Sequence, residues 1–428
     1  MAKNNYAWRI GDPQPLIGEH SLAKHRILRQ YLRRYIEICT ATPVQERLNL
    51  TIVDGYAGGG RYLFDNRDVQ GSPMILLETI AEMQDKLNRA RPKGFQIRTD
   101  FLFVDLDRRH TDYLRAEIEA SPFKHMIGDT IHIWTDDFNE RVDDAIALVK
   151  KRSPQKGRSL FLLDQNGWSQ VAFRSMRRIL GALEKAEIFL TFSVDGLIDY
   201  MSEEHLKRRS YYDIDADPDF VREMLSNKEE GAGWRTLIQN ELYKHIKDAT
   251  SAEYYSPFFI RSPDAHRSYW FIHLSRHREA RNVIGNIHWE ETNTSLHHGG
   301  AGLQALGFSK SSDPKQLMLG YEFDEHARAQ SKKVLQDQIP RIIREAIDAD
   351  LAPSLEQLFG RECNDTPVTR ELFEEVLVGL REEGELRIED VYGKDKPRAQ
   401  TMNWSDRIVL ARQPTLFGPF GPLGKTNN

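Results

Sequence analysis

Apolar residues gather into five short runs, Leu50 to Val53, Phe101 to Val104, Ile131 to Trp134, Leu160 to Leu163 and Ile188 to Phe192, and each run leads into acid. Asp54 ends the first, Asp105 and Asp107 the second, Asp136 and Asp137 the third and Asp164 the fourth, while Asp195 follows the fifth. Continuous runs of this length predict strands buried on both faces, the habit of a parallel sheet. Between them apolar positions take helical spacing over Met74 to Leu87, Thr111 to Ala120, Asp143 to Lys150 and Phe173 to Lys185. Ser72 as cap and Pro73 in the first turn open the first of these. The alternation predicts an α/β fold, a doubly wound parallel sheet with its acids along the carboxyl edge, where open α/β sheets keep their sites. Pro257 to Arg261 and Tyr269 to Leu274, joined by a turn at Ser262 to Ser268, predict an antiparallel hairpin.

The first run passes straight into Gly55-Tyr56-Ala57-Gly58-Gly59-Gly60-Arg61-Tyr62. Glycines there let backbone approach a nucleotide-like ligand closely, or simply make a tight turn. The spacing is not the dinucleotide fingerprint, and no Gly-Lys-Ser/Thr follows, so a P-loop is excluded.

Five parallel strands closed by a hairpin match the core of the S-adenosylmethionine-dependent methyltransferases, a Rossmann-like sheet. Lys24 to Leu28, Asp54 to Tyr62, Gly71 to Pro73, Leu163 to Trp168 and His273 to His277 together resemble the motifs of the three-Cys-motif partner proteins. The resemblance spans roughly Gly18 to Asn293. It implies S-adenosylmethionine as cofactor, with Asp54, Tyr56, Gly58, Gly60 and Arg61 at the glycine turn, and with Lys24 and His25 covering the cofactor. It also implies ribose held by Asp105 or Asp107, the adenine amine met by Asp136 or Asp137, and a separate three-cysteine protein as partner. The opening elements are similar, too, to ribosomal-RNA adenine-N6 methyltransferases, whose fourth strand ends in Asp-Pro-Pro-Tyr. Here the matching residues are Asp164, Gln165, Asn166 and Gly167, so the acid is kept and the prolines are absent; Trp168 is the aromatic left to stack on an acceptor base.

Each of these residues also has a structural reading. Asp105 or Asp107 would cap Arg108 to Glu119, Asp164 would cap the helix after it, Trp168 would pack in the core, and Lys24 and His25 would lie on a solvated helix face. Three functions follow: a methyltransferase acting on nucleic acid or on a nucleic-acid-bound partner, a catalytically silent cofactor-binding adaptor for the three-cysteine protein, or a hydrolase holding Mg²⁺ on Asp54, Asp105 and Asp164.

Basic residues Arg261, His266, Arg267, Arg276, His277, Arg278 and Arg281, beside Tyr269 and Trp270, offer a patch for phosphate and base stacking. A second run, Lys207 to Arg209 with Tyr211 and Tyr212, lies in a segment, Met201 to Ser251, read as a substrate cap. His297 and His298, near His288 and Glu290, fit no standard ligand set and read as a loop. The net charge of -5 gives no global attraction to nucleic acid. Cys39 and Cys363, the two cysteines, read as reduced thiols of a cytoplasmic protein. A polar amino terminus and the lack of any long apolar run predict neither secretion nor membrane insertion.

Beyond Gly299 to Ser312 the pattern predicts a polar helix from Phe323 to Ala349, interrupted by Pro340 and read as a connector. A short helix at Ser354 to Phe359 follows, then one capped within Thr366 to Thr369 with Leu372, Val376, Leu377 and Leu380 on one face, ended by Gly384. Leu386 to Ile388 and Ile408 to Ala411 would pair as a wing. The winged helix so predicted is acidic on its recognition helix, through Glu371, Glu374, Glu375, Glu382 and Glu383, while Lys394, Lys396 and Arg398 at the wing tip favour phosphate. The expected division is 1–298 for the methyltransferase-type domain, with a helical insertion at about 200–252, then 299–350 for the connector, 351–412 for the winged helix and 413–428 for a disordered tail.

Overall fold

The computed structural model describes residues 7–202, 204, 208–229, 234–261, 268–291, 296–298, 301–304, 320–322, 324–349, 353–364, 366, 368–396 and 402–411. The expectations for the hairpin turn, for most of the Gly/Ser stretch, for His266, Arg267, Lys207, Pro367 and Arg398, and for the tail lie outside the described residues.

A seven-stranded sheet forms the centre. Its strands are β1 (Arg47–Asp54), β4 (Gln96–Asp105), β5 (Ile131–Thr135), β6 (Ser159–Leu163), β7 (Ala186–Ser193), β8 (Tyr254–Arg261) and β9 (Ser268–Ser275). The order is β5-β4-β1-β6-β7-β9-β8, with the first five parallel and β9 antiparallel to both neighbours. This is the expected sheet, and it puts Asp54, Asp105 and Asp164 at the carboxyl ends of three adjacent strands. Alternation along the strands feeds two cores. Leu50, Ile52, Phe101, Phe103 and Leu162 face α1 (Glu19–Cys39), α2 (Ser72–Ala90), α3 (Arg108–Glu119) and α10 (Arg278–Glu290). Val53, Leu102, Val104, Phe161 and Leu163 face α4 (Val142–Arg152), α5 (Phe173–Ala182) and α6 (Val194–Tyr200). The insertion is helical, as α7 (Arg209–Asp213), α8 (Pro218–Glu229) and α9 (Trp234–Thr250), and its Ile214, Val221, Met224, Leu242 and Ile246 extend the second core.

Several local expectations change. Gly71, not Ser72, is the N-cap of α2, because the Ser72 hydroxyl is turned inward onto Asp54. Asp195, which follows the fifth run, lies in the first turn of α6. A hairpin of β2 (Arg61–Phe64) and β3 (Arg67–Gln70) follows the glycine turn; Asp65 and Asn66, at φ 47° and 58°, make its tight turn. His297 and His298 lie in a short strand, β10 (Leu296–His298), rather than a loop, because the backbone there pairs antiparallel with β11 (Gly320–Glu322).

The carboxyl-terminal unit is a winged helix: α11 (Glu325–Asp348), α12 (Leu355–Glu362), α13 (Arg370–Glu382), and the antiparallel pair β12 (Leu386–Glu389) and β13 (Arg407–Leu410). The helix read as a connector belongs to it. Leu335, Ile339 and Ile343 of α11 lie in one core with Phe359, Phe373, Leu377 and Ile408, and α11 runs unbroken through Pro340. Among the described residues no helix is long and apolar enough to cross a membrane.

Candidate functional site

Asp54 is the innermost acid of the carboxyl edge. Fully buried, it accepts hydrogen bonds from the Ser72 hydroxyl at 2.6 Å and the Tyr56 amide at 3.2 Å. Burial raises its pKa to about 7, against the pull of those two bonds and with the Asp164 and Asp105 charges adding to the rise. The turn that follows needs glycine at Gly58 and Gly60, where φ is +59° and +80°. The Gly58 amide donates to Asp105 Oδ2 at 3.0 Å, tying the turn to the next strand. Trp8 packs against one side of the turn: a Cβ at Gly58 would lie 2.7 Å from its ring, and one at Gly59 would strike the same indole. Arg61 is drawn outward to Glu117 at 2.7 Å, and the Tyr56 hydroxyl donates to the Gln170 carbonyl at 2.8 Å.

The next two strand ends behave differently. Asp105 Oδ1 accepts from the Asp107 amide at 2.9 Å and faces His110 Nδ1 at 3.0 Å, so this acid is a fixed part of the site floor. Asp107 is the helix cap: it accepts from the Arg109 amide, and the Arg109 side chain holds its pKa down to about 2. Between them Leu106 stands 74% exposed, an apolar surface beside Asp105. Asp136 is held below its usual range by the Arg141 guanidinium at 2.7 Å, and Asp137 caps the short helix Phe138–Arg141.

At the fourth strand Asp164 meets α1. Lys24 Nζ lies 2.5 Å from Asp164 Oδ1 and 3.5 Å from the Thr191 hydroxyl. Burial alone would raise the Asp164 pKa; the ammonium of Lys24, helped by Thr191, outweighs it and keeps the carboxylate ionised. Asp164 is therefore a charge partner of Lys24. His25, also buried, has its pKa lowered to about 4 chiefly by that burial, and its Nδ1 has no hydrogen-bond partner among the described residues. Gln165 folds back so that its Oε1 accepts from the Gln170 and Val171 amides, shaping the loop where the prolines are missing. Trp168 lies in the core against Tyr200 and Tyr211, at 5.5 and 5.4 Å between ring centroids.

Lys24, His25, Asp54, Asp105 and Asp164 thus converge, whereas Arg61, Asp107, Asp136 and Trp168 are engaged elsewhere. Trp8, Ser72, Leu106, His110 and Thr191 were missed from sequence. Ser72 lies within the Gly71 to Pro73 motif and Trp8 stands with Tyr6 in a polar amino terminus, whereas Leu106, His110 and Thr191 carry no such mark.

The basic patch is divided: Arg276 and His277 are exposed, Arg278 is half-buried and Arg281 is buried. Arg281 is fully buried in α10, donating to the carbonyls of Cys363, Thr366 and Val368, while Arg278 pairs with Glu356 and Arg276 with Glu253. Trp270 is buried in the core, and Tyr269 stacks on His20 at 5.2 Å. At the wing Lys396 is buried on Asp406 at 2.6 Å, leaving Lys394 as the exposed lysine at its described tip. Burial pushes the thiols of Cys39 and Cys363 up to about 11 and about 12. Among the described residues no three His, Cys, Asp or Glu side chains are grouped to hold a metal ion, so the Mg²⁺ reading of Asp54, Asp105 and Asp164 gains no support.

With this geometry in place, comparison with known proteins bears on the two units separately. Residues 307–393 match the family model described as a GMT-like wHTH domain. The match begins upstream of the expected boundary at residue 351, as the packing of α11 also requires. Among solved structures, a Legionella pneumophila protein aligns at 8% identity over 63% of this chain and 91% of its own, with TM-score 0.32. A SAM-dependent methyltransferase from Agrobacterium tumefaciens aligns at 7% identity over 62% and 64%, TM-score 0.31. Trm1 from Pyrococcus horikoshii, solved with S-adenosyl-L-methionine, aligns at 12% identity over 94% and 93%, TM-score 0.30. No curated protein matches the chain. The fold is a mostly parallel α/β sheet closed by an antiparallel hairpin, with a carboxyl-terminal winged helix.

Proposed function

We propose that this chain binds S-adenosylmethionine at the carboxyl edge of its sheet and transfers the methyl group to nucleic acid, or to a target presented by a three-cysteine partner protein. The observation that carries this reading is the Gly58 turn bonded to Asp105, flanked on adjacent strands by Asp54 and Asp164. The donor set fits the cofactor: a positive-φ backbone turn for its methionine part, an ordered carboxylate at Asp105 for ribose hydroxyls and exposed Leu106 for the base. When bound, the cofactor supplies an electrophilic methyl group on sulfur. The chain's own residues position the reactants, with Asp54 bracing the turn through Tyr56 and Ser72 and Asp164 accepting a hydrogen bond from the acceptor. Lys24 keeps Asp164 ionised for that role.

One observation favours a second reading, the silent adaptor. Lys24 occupies an oxygen of the carboxylate that an acceptor would use, and the loop after it is Gln165-Asn166-Gly167. Incubation with methyl-labelled S-adenosylmethionine and DNA or RNA separates the two. Label entering nucleic acid with the wild type and not with Asp164→Asn is expected of the enzyme; cofactor bound without label transfer, with and without the three-cysteine protein, marks the adaptor.

A further inference from the structure

Residues 7–17 cross the outside of the glycine turn. The Leu63 amide donates to the Pro15 carbonyl and the Ile17 amide to the Leu63 carbonyl, each at 3.0 Å, so this segment runs beside β2. Ile10 and Leu16 in it are exposed, yet Trp8 is only 3% exposed. Its indole lies over Gly58 and Gly59, where a side chain would collide with it, and its Nε1 donates to the Arg61 carbonyl at 2.6 Å. The ring also packs edge-on against Tyr62 and His110, at 5.1 and 4.8 Å. His110 in turn faces Asp105, the acid that receives the Gly58 amide. One side chain therefore touches both halves of the site: the turn directly, and the ribose-type acid through His110.

We propose that Trp8 is a positioning residue for the cofactor site, with the amino-terminal segment acting as a clamp that sets the Gly58–Gly59 turn and, through His110, the Asp105 carboxylate. This rests on the cofactor reading above. The sheet holds the turn from its inner side, through the Gly58 amide on Asp105 and the Ala57 amide on the Val104 carbonyl, and the indole packs on the other side over Gly58 and Gly59. The glycine at position 59 then exists to admit the indole. Alanine there is compatible with the backbone, since Gly59 does not have the positive φ of its neighbours, and its cost comes from the collision with Trp8.

A double-mutant cycle tests the clamp in the full chain, using Trp8→Ala, Gly59→Ala and the pair, with Trp8→Phe as the conservative variant. Amide exchange at Gly58 is read without ligand, and S-adenosylhomocysteine binding is read by calorimetry. Each single change is expected to speed Gly58 exchange and weaken binding by roughly tenfold, with Trp8→Phe recovering most of both and Gly59→Ala costing little more once Trp8 is gone. If Gly59→Ala costs the same with and without Trp8, the glycine serves something other than the indole and the clamp is overturned. If Trp8→Ala leaves exchange and affinity at wild-type values, the clamp is likewise overturned. Should the wild type bind no S-adenosylhomocysteine, the cofactor reading falls, while the Gly58 exchange cycle still decides whether the clamp exists.

Discussion

Asp54 is a carboxyl group whose environment opposes its charge, and this has a measurable sign. With its folded pKa at about 7 against an ordinary value of 3.8, the folded protein keeps a proton that the unfolded chain has lost between those values. Stability from this group is full below about pH 4, falls as pH rises through that window and levels off above 7. His25, lowered to about 4, works in the opposite direction over part of the same range, so the comparison must be between variants. Denaturant unfolding at pH 5 and 8 should show the wild type losing up to roughly 3 kcal/mol relative to Asp54→Asn across that interval; parallel pH profiles would mean that Asp54 is solvated or ionised throughout. Lys24 and Asp164 make a second residue-scale test. Lys24→Met strands a mostly buried carboxylate and should cost about 3 kcal/mol in unfolding free energy, of which Asp164→Asn in the same chain restores most. An equal loss in the single and double variants would show that the lysine stem, not the charge pair, matters.

Elements show which parts of the chain were readable. Strands of a parallel sheet are buried on both faces, so β1, β4, β5, β6 and β7 appear as apolar runs whose ends name the site acids. Contacts that cross the chain leave no such mark. Lys24 reaches Asp164 across 140 positions, and Trp8 reaches the Arg61 carbonyl across 53. Local chemistry misled as well: Ser72 has a cap residue's identity, but its hydroxyl serves Asp54, and α11 looks polar because only one narrow stripe enters the winged-helix core. Within the basic run after β9, composition cannot tell the exposed Arg276 from Arg281, whose guanidinium is spent on three carbonyls between α12 and α13. Arg281→Met should therefore loosen the join between α10 and the winged helix. Expected are a loss of about 3 kcal/mol or more and faster limited proteolysis near residues 363–370; an unchanged cleavage pattern would argue that the join is held elsewhere.

At the scale of the whole molecule, the winged helix is fastened with its recognition helix turned inward at the amino end. The Arg370 amide donates to Asn282, Glu371 accepts from Asn282 and Asn286, and Trp404 bonds Glu279, all on α10. Glu375, on the same helix, is paired with Arg328 and Lys332 of α11. The usual groove-reading end of such a helix is thereby covered, while Tyr392 at the wing is 91% exposed. Isothermal titration of S-adenosylmethionine into the wild type and Asp54→Ala tests the proposed cofactor site at the carboxyl edge of the sheet. Saturable binding near the micromolar range, lost in a variant whose circular dichroism shows it folded, is the predicted result. A wild type that takes up no S-adenosylmethionine would rule out the proposed cofactor site.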